Sequence, residues 1–211
     1  MPKISVFCSK GSTGKTPISM NIVYDRDYNI ATNEPYNVIE DLVPDNKMMV
    51  VGLNEEFPEL PDDIDIVFDL AGAISEDARS ITSAIKQSHL VVVPINNEFK
   101  AIKAGLHSIA EVRKYNKNIL VIGTKLAKQK TDIFTSDWTS SKDFQFIKQA
   151  VGVIDKAIPV LPLKVSTAFD SIFESEKSIH QICKSDPLLR HAFKVVDEQF
   201  QAIYSHIDSA V

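Results

Sequence analysis

One short stretch, KGSTGKTP (Lys10–Pro17), packs two glycines, three hydroxyls and two lysines directly behind an apolar run. Gly11 and Gly14 allow a sharp turn that exposes backbone N–H groups. Those donors, with the positive end of a helix beginning near Lys15, form a cradle for an anion. Lys15 is spaced to reach the β- and γ-phosphates of a nucleotide, and the Thr16 hydroxyl to ligate Mg²⁺. Pro17 falls in the first helical turn, where its missing N–H costs little. Strand, loop and helix follow in the order that a phosphate-binding loop requires. The general pattern G-x-x-x-x-G-K-[ST] is departed from at its first glycine, where Ser9 stands.

The second lysine makes the match sharper. KGSTGKT resembles the deviant Walker A motif, K-G-G-x-G-K-[ST], of the ParA/MinD family of ATPases, and the small size is similar to the short plasmid-partition ParA proteins. The resemblance implies a single P-loop NTPase domain over residues 1–211 that binds ATP and Mg²⁺ through Lys10, Gly11, Ser12, Thr13, Gly14, Lys15, Thr16 and Pro17. It implies that Lys10 reaches across a nucleotide-sandwiched homodimer to the partner's phosphates, as a lysine version of an arginine finger. Ser12 takes the place of the family's second glycine and adds a Cβ to the cradle.

Other segments extend the likeness. IDIVFDLAG (64–72) is similar to the Walker B and switch II segment. Asp69 is then expected to hold Mg²⁺ through water, and Gly72 to sense the γ-phosphate. HLVVVPINNEF (89–99) looks like another family strand, with Pro94 expected to end it. TNEPY (32–36) is the nearest match to the family's Asp-x-Asp-Pro-Gln element. Pro35 aligns, Glu34 falls where the second aspartate orients attacking water, and Thr32 and Tyr36 replace the first aspartate and the glutamine. VLPLKVSTAFDSIFESEKSI (160–179) is similar to the C-terminal block, which implies that Pro162 touches adenine. Thr124–Lys125 ends a strand where related enzymes place polar groups near the base.

The function this implies is a cytoplasmic, nucleoid-associated ATPase switch. MgATP bridges two subunits, the dimer binds DNA non-specifically, and a centromere-binding or other partner protein stimulates slow hydrolysis. Two other classes stay open: a metabolic P-loop enzyme that activates a small molecule, as dethiobiotin-synthetase-like relatives do, and a nucleotide-binding module with little turnover. The first needs a cationic or acid/base substrate pocket beyond the loop, of which the sequence offers no clear set. Ser12 and the altered TNEPY element favour the second.

These residues need a scaffold to converge, and the apolar pattern supplies one. Strands are predicted at 3–8, 28–32, 47–53, 65–72, 89–95, 118–124 and 158–163, the runs 47–53 and 65–72 reading as buried. Helices are predicted at 17–24, 75–87 with Ser75 as N-cap, 98–115 and 146–157, with a helical turn or two at 37–42 and a polar loop at 128–144. Near-continuous apolar strands alternating with helices imply an α/β fold, a mostly parallel twisted sheet with helices on both faces. At 186–210, Phe193, Val196, Phe200, Ile203 and Ile207 make one apolar helix face. It is expected to dock on the domain, since acids rather than flanking lysines accompany it and a membrane-surface helix would want the reverse.

Bulk properties agree with an ordinary globular chain. There are 211 residues, 44% of them hydrophobic and 24% charged, and two cysteines, too few for a disulfide framework or a metal cluster. No apolar stretch approaches the roughly 20 residues of a membrane helix. The net charge of −5 conceals an asymmetry: thirteen acids and two bases from Glu34 to Arg79, against eight bases and one acid from Phe99 to Lys130. The basic stretch is either a solvated face or a patch that meets phosphate. Trp138, amid serines and threonines, either anchors its loop or touches a partner.

Overall fold

Seven strands form one sheet in the computed structural model, which describes residues 1–34, 38–72, 78–133 and 136–210. They are β1 (Lys3–Val6), β2 (Asn29–Thr32), β3 (Met48–Val50), β4 (Ile66–Asp69), β5 (Leu90–Asn96), β6 (Ile119–Leu126) and β7 (Val160–Lys164). Their order is β3-β2-β4-β1-β5-β6-β7, and every pairing is parallel. The helices are α1 (Lys15–Arg26), α2 (Arg79–Gln87), α3 (Phe99–Val112), α4 (Lys142–Ile154), α5 (Ala168–Ser175), α6 (Ile179–Ser185) and α7 (Pro187–Ala210).

Alternation along each strand feeds two separate cores. Ile4, Val6, Val67, Leu90, Val92, Leu120 and Ile122 face one side, where α1, α5, α6 and α7 cover them. Phe68, Val91, Val93, Ile95 and Val121 face the other, under α2, α3 and α4. The central strands are buried on both faces, as a parallel sheet requires. On α7, Phe193, Val196, Phe200, Ile203 and Ile207 all lie within the first core. The Tyr204 hydroxyl of the same helix accepts from Asn21 Nδ2 (2.6 Å) and donates to the Asn21 carbonyl (3.1 Å), which ties α7 to α1.

Several expected elements differ in extent. The run 47–53 is neither long nor buried: β3 has three residues, lies at the sheet edge, and leaves Val50 47% exposed. Pro94 does not end its strand, for β5 continues to Asn96 with Pro94 opposite Ile122. Phe7 N–H donates to Val92 O, so position 94, two residues on, presents its edge to the β1 side as well, and β1 pairs only as far as Val92. The missing N–H therefore removes no ladder bond. The helix expected at 146–157 starts earlier, at Lys142, because the Ser141 hydroxyl accepts from Phe144 N–H as an N-cap. The α2 helix begins at Arg79, and the expected cap Ser75 lies outside the described residues, as do Pro35 and Tyr36 of TNEPY.

Candidate functional site

The loop that follows β1 lies at the C-terminal edge of the sheet, flanked by β4 and β5, where open parallel sheets bind ligands. Gly14 has φ 97° and acts as the N-cap of α1, so its left-handed turn aims the first N–H groups of the helix into the loop. Ser12 has φ 60°, also left-handed, a conformation that costs a non-glycine residue about 1–2 kcal/mol. Thr13 is fully buried, its carbonyl accepting from the Thr124 hydroxyl at 2.8 Å. Ser9, in the place of the first glycine, is fastened to α3: its N–H donates to Ser108 Oγ (2.9 Å) and its hydroxyl to the Ala104 carbonyl (3.2 Å).

The two lysines have different surroundings. Lys15 is 6% exposed and forms no ion pair among the described residues. Lys10 lies at the rim, with its ammonium 3.2 Å from Glu98 Oε2 at the start of α3.

Asp69 ends β4 against α1. The Thr16 hydroxyl donates to its Oδ2 and the Ser19 hydroxyl to its Oδ1, both at 2.8 Å. Burial pushes the Asp69 carboxyl up to about 6, and the Glu34 charge adds to that; Ser19, Thr16 and Lys15 pull the other way. Gly72 follows closely. A Cβ there would stand 3.2 Å from the Ser9 carbonyl, 3.3 Å from that of Cys8 and 3.4 Å from Gly11 N, so this chain segment lies directly on the phosphate loop.

Glu34 shares a cleft of about 340 Å³ with Gly11, Ser12, Gly14, Lys15, Thr16, Pro17 and Lys125. Thr32 is buried, and its hydroxyl accepts from Glu34 N–H at 3.1 Å, so it shapes the turn that carries Glu34 into the cleft. A second pocket of about 210 Å³ adjoins the first at Gly14, Pro17 and Lys125. Ile18, Leu163, Val165 and Phe169 make it apolar. Pro162 is not among its lining: it sits within β7 opposite Gly123, and the residues just after it, where the strand gives way to loop, form the wall. Thr124 and Lys125 do line it.

The structure thus gathers Lys15, Thr16, Asp69, Gly72 and Glu34 around the loop. Ser19 escaped the sequence reading although it lies three residues after Thr16, on the same helix face. Glu98 and Ser108 carried no local signal, because only the packing of α3 brings them to the loop. Trp138 is half-buried against the second core, with the Lys164 ammonium 6.0 Å from its ring centre, an anchoring arrangement.

The eight bases of 99–130 do not make one patch. Lys100, Lys103, Lys128 and Lys130 follow the C-terminal ends of β5 and β6, and Lys125 is next to last in β6, on the side of the phosphate loop. Arg113, Lys114 and Lys117 come at the opposite end of the sheet, where Arg113 pairs with Asp155 and Lys114 with Glu111.

No protein-family model matches the chain, and no curated protein matches its sequence. Solved structures do match its fold. The cell division ATPase MinD of Pyrococcus furiosus superposes with a TM-score of 0.58 at 15% identity, covering 96% of this chain and 100% of its own. McdA of Cyanothece, in complex with ATP, gives 0.56 at 13% identity over 95% and 96%. A protein assigned to plasmid partition in Borrelia burgdorferi B31, bound to AMPPNP, gives 0.55 at 14% identity over 96% and 99%. The fold is of the ParA/MinD type. It is a P-loop NTPase fold whose likeness runs across nearly the whole chain rather than through the loop alone.

Proposed function

We propose that this chain is an ATP-driven switch of the ParA/MinD kind. It binds MgATP at 10–17, pairs with a second copy around the nucleotide, binds DNA without sequence preference in that state, and serves the partitioning or positioning of plasmid or chromosome DNA. One observation carries the nucleotide reading: Lys15 is a buried ammonium with no ion pair among the described residues, at the floor of a cleft lined by a left-handed glycine cap. A buried ammonium is costly, and beyond the nearby Asp69 carboxyl, whose proton affinity its charge lowers, a phosphate tail supplies direct counter-charge.

The residues present also fit Mg²⁺, since a hydroxyl and a buried carboxylate already meet at 2.8 Å. Thr16 would hold the ion directly and Asp69 through water, and the ion would neutralise phosphate charge. Lys15 stabilises negative charge on the β- and γ-phosphate oxygens. Glu34, in the same cleft, accepts a hydrogen bond from the attacking water and orients it. Lys10 leaves Glu98 to serve the phosphates of the partner copy, where its charge counts most in the transition state. The apolar pocket beside Pro17 and Ile18 takes the base. Lys100, Lys103, Lys125, Lys128 and Lys130 supply the DNA contacts, and a separate centromere-binding or other protein stimulates turnover.

A second reading, a nucleotide-holding module with little turnover, is favoured by the left-handed Ser12. Calorimetry with MgATP and MgGTP, sedimentation of the complexes, and turnover with and without duplex DNA separate the readings. The switch predicts MgATP-dependent dimers and turnover raised by DNA with a partner protein. Binding without turnover selects the module; turnover that needs a small acceptor selects a metabolic enzyme. No heat with either nucleotide overturns all three.

A further inference from the structure

Asn33 is a buried polar residue at the end of β2, 1% exposed, that neither the loop nor the cleft requires. Its amide is fully directed. Oδ1 accepts from Ala71 N–H at 2.7 Å, and Nδ2 donates to Ser80 Oγ at 2.7 Å. Because a backbone N–H can only donate, the amide orientation is fixed by its partners. Ser80, on α2, passes its own proton to the Leu53 carbonyl at 2.7 Å, which leaves its oxygen free to accept from Asn33. The Asn33 side chain therefore ties the chain just after β4 and the first turn of α2 to the end of β2, and Ser80 carries the link on to the loop after β3.

The first of these ties matters for the site. Ala71 immediately precedes Gly72, which lies so close to the backbone of Cys8, Ser9 and Gly11 that a further carbon would fit only if that backbone gave by a few tenths of an ångström. The phosphate loop presses on Gly72 from one side, and Asn33 holds the preceding N–H from the other. Loss of this bond leaves a buried N–H unsatisfied and frees the segment to withdraw from the loop.

We infer that Asn33 is a positioning residue that fixes Ala71–Gly72 against the phosphate loop and thereby sets the preference for a nucleoside triphosphate over a diphosphate. This rests on the reading of 10–17 as a nucleotide loop. A diphosphate is held by the loop itself. The terminal phosphate adds contact with the backbone at Gly72, and only that contact depends on Asn33.

The test is calorimetric titration of the full chain with Mg-AMPPNP and with Mg-ADP, for the wild type, Asn33→Leu and Ser80→Ala. Wild type is expected to prefer AMPPNP. Asn33→Leu should lose about tenfold in AMPPNP affinity, the scale of one hydrogen bond to a charged group, with ADP affinity kept within about twofold. Ser80→Ala keeps the acceptor for Ala71 but loosens the amide, and should lose about threefold for AMPPNP alone. It carries the test if Asn33→Leu does not fold. Equal losses for both nucleotides, an unchanged preference in the variants, or no preference in the wild type would overturn the inference while leaving the loop reading intact. A wild type that binds neither nucleotide overturns both.

Discussion

The Lys10 ammonium stands 3.2 Å from Glu98 Oε2, so the outer lysine of the loop is held by its own chain. Both side chains are partly exposed, 26% and 62%, and such a pair is worth at most about 1 kcal/mol. Glu98→Gln should therefore release Lys10 and tighten Mg-AMPPNP-dependent pairing by up to about fivefold, read by sedimentation. Lys10→Ala should leave nucleotide binding to the monomer within about twofold and cut dimer-linked turnover by roughly 10²-fold or more. Normal turnover in Lys10→Ala would reduce this lysine to an ordinary loop charge.

Lys15→Ala should weaken MgATP binding by on the order of 10²-fold, the loss of a charge-assisted contact in a buried site. The nucleotide-free variant should melt no lower than wild type, because the change removes a buried charge that has no ion pair. A variant that loses binding and stability together would point to a structural lysine.

Gly72→Ala adds a carbon 3.2 Å from a backbone carbonyl that has little room to yield. Turnover should fall by about tenfold or more, with the far-ultraviolet spectrum unchanged, because the displaced group is the phosphate loop itself. Wild-type turnover in this variant would show that the loop moves away from β4 during the reaction.

The raised carboxyl of Asp69 gives stability a pH dependence of definite sign. Its folded value, about 6, lies above the ordinary aspartate value near 3.9, so the folded state holds the proton more tightly. For the nucleotide-free protein in EDTA this term favours folding below about pH 4 and is lost as pH rises through 6. Asp69→Asn should thus stabilise that form at pH 7, by up to about 3 kcal/mol in chemical denaturation, and lose the advantage by pH 4. Equal stabilisation at both pH values would assign the effect to packing.

DNA affinity should fall steeply with salt, in proportion to the phosphates neutralised. Lys100→Glu with Lys103→Glu should weaken binding and flatten that slope, whereas Lys117→Glu, at the far end of the sheet, should do neither. Binding that ignores salt, or that responds equally to Lys117, would place the contact elsewhere.

The loop and the parallel sheet covered on both faces were legible because each rests on local pattern, whereas the order of the strands was not. Gly14 is glycine where φ reaches 97°, and the near-continuous apolar runs of β5 and β6 announce burial on both faces. What escaped depends on contacts remote in sequence. Ser9 meets Ser108, and Asn33 meets Ala71 and Ser80, across separations that no periodicity encodes. Pro94 misled because its usual cost presumes a neighbouring strand, and β1 has already turned away there. Pro162 does not line the apolar pocket although its neighbour Leu163 does, because successive residues of β7 face opposite sides of the sheet.

The bond between Asn21 and Tyr204 spans 183 residues. It fastens the helix that follows the phosphate loop to a helix that packs across the first core. Anything that unseats α7 therefore loosens the footing of α1, so local opening of that helix and weakened nucleotide binding would go together.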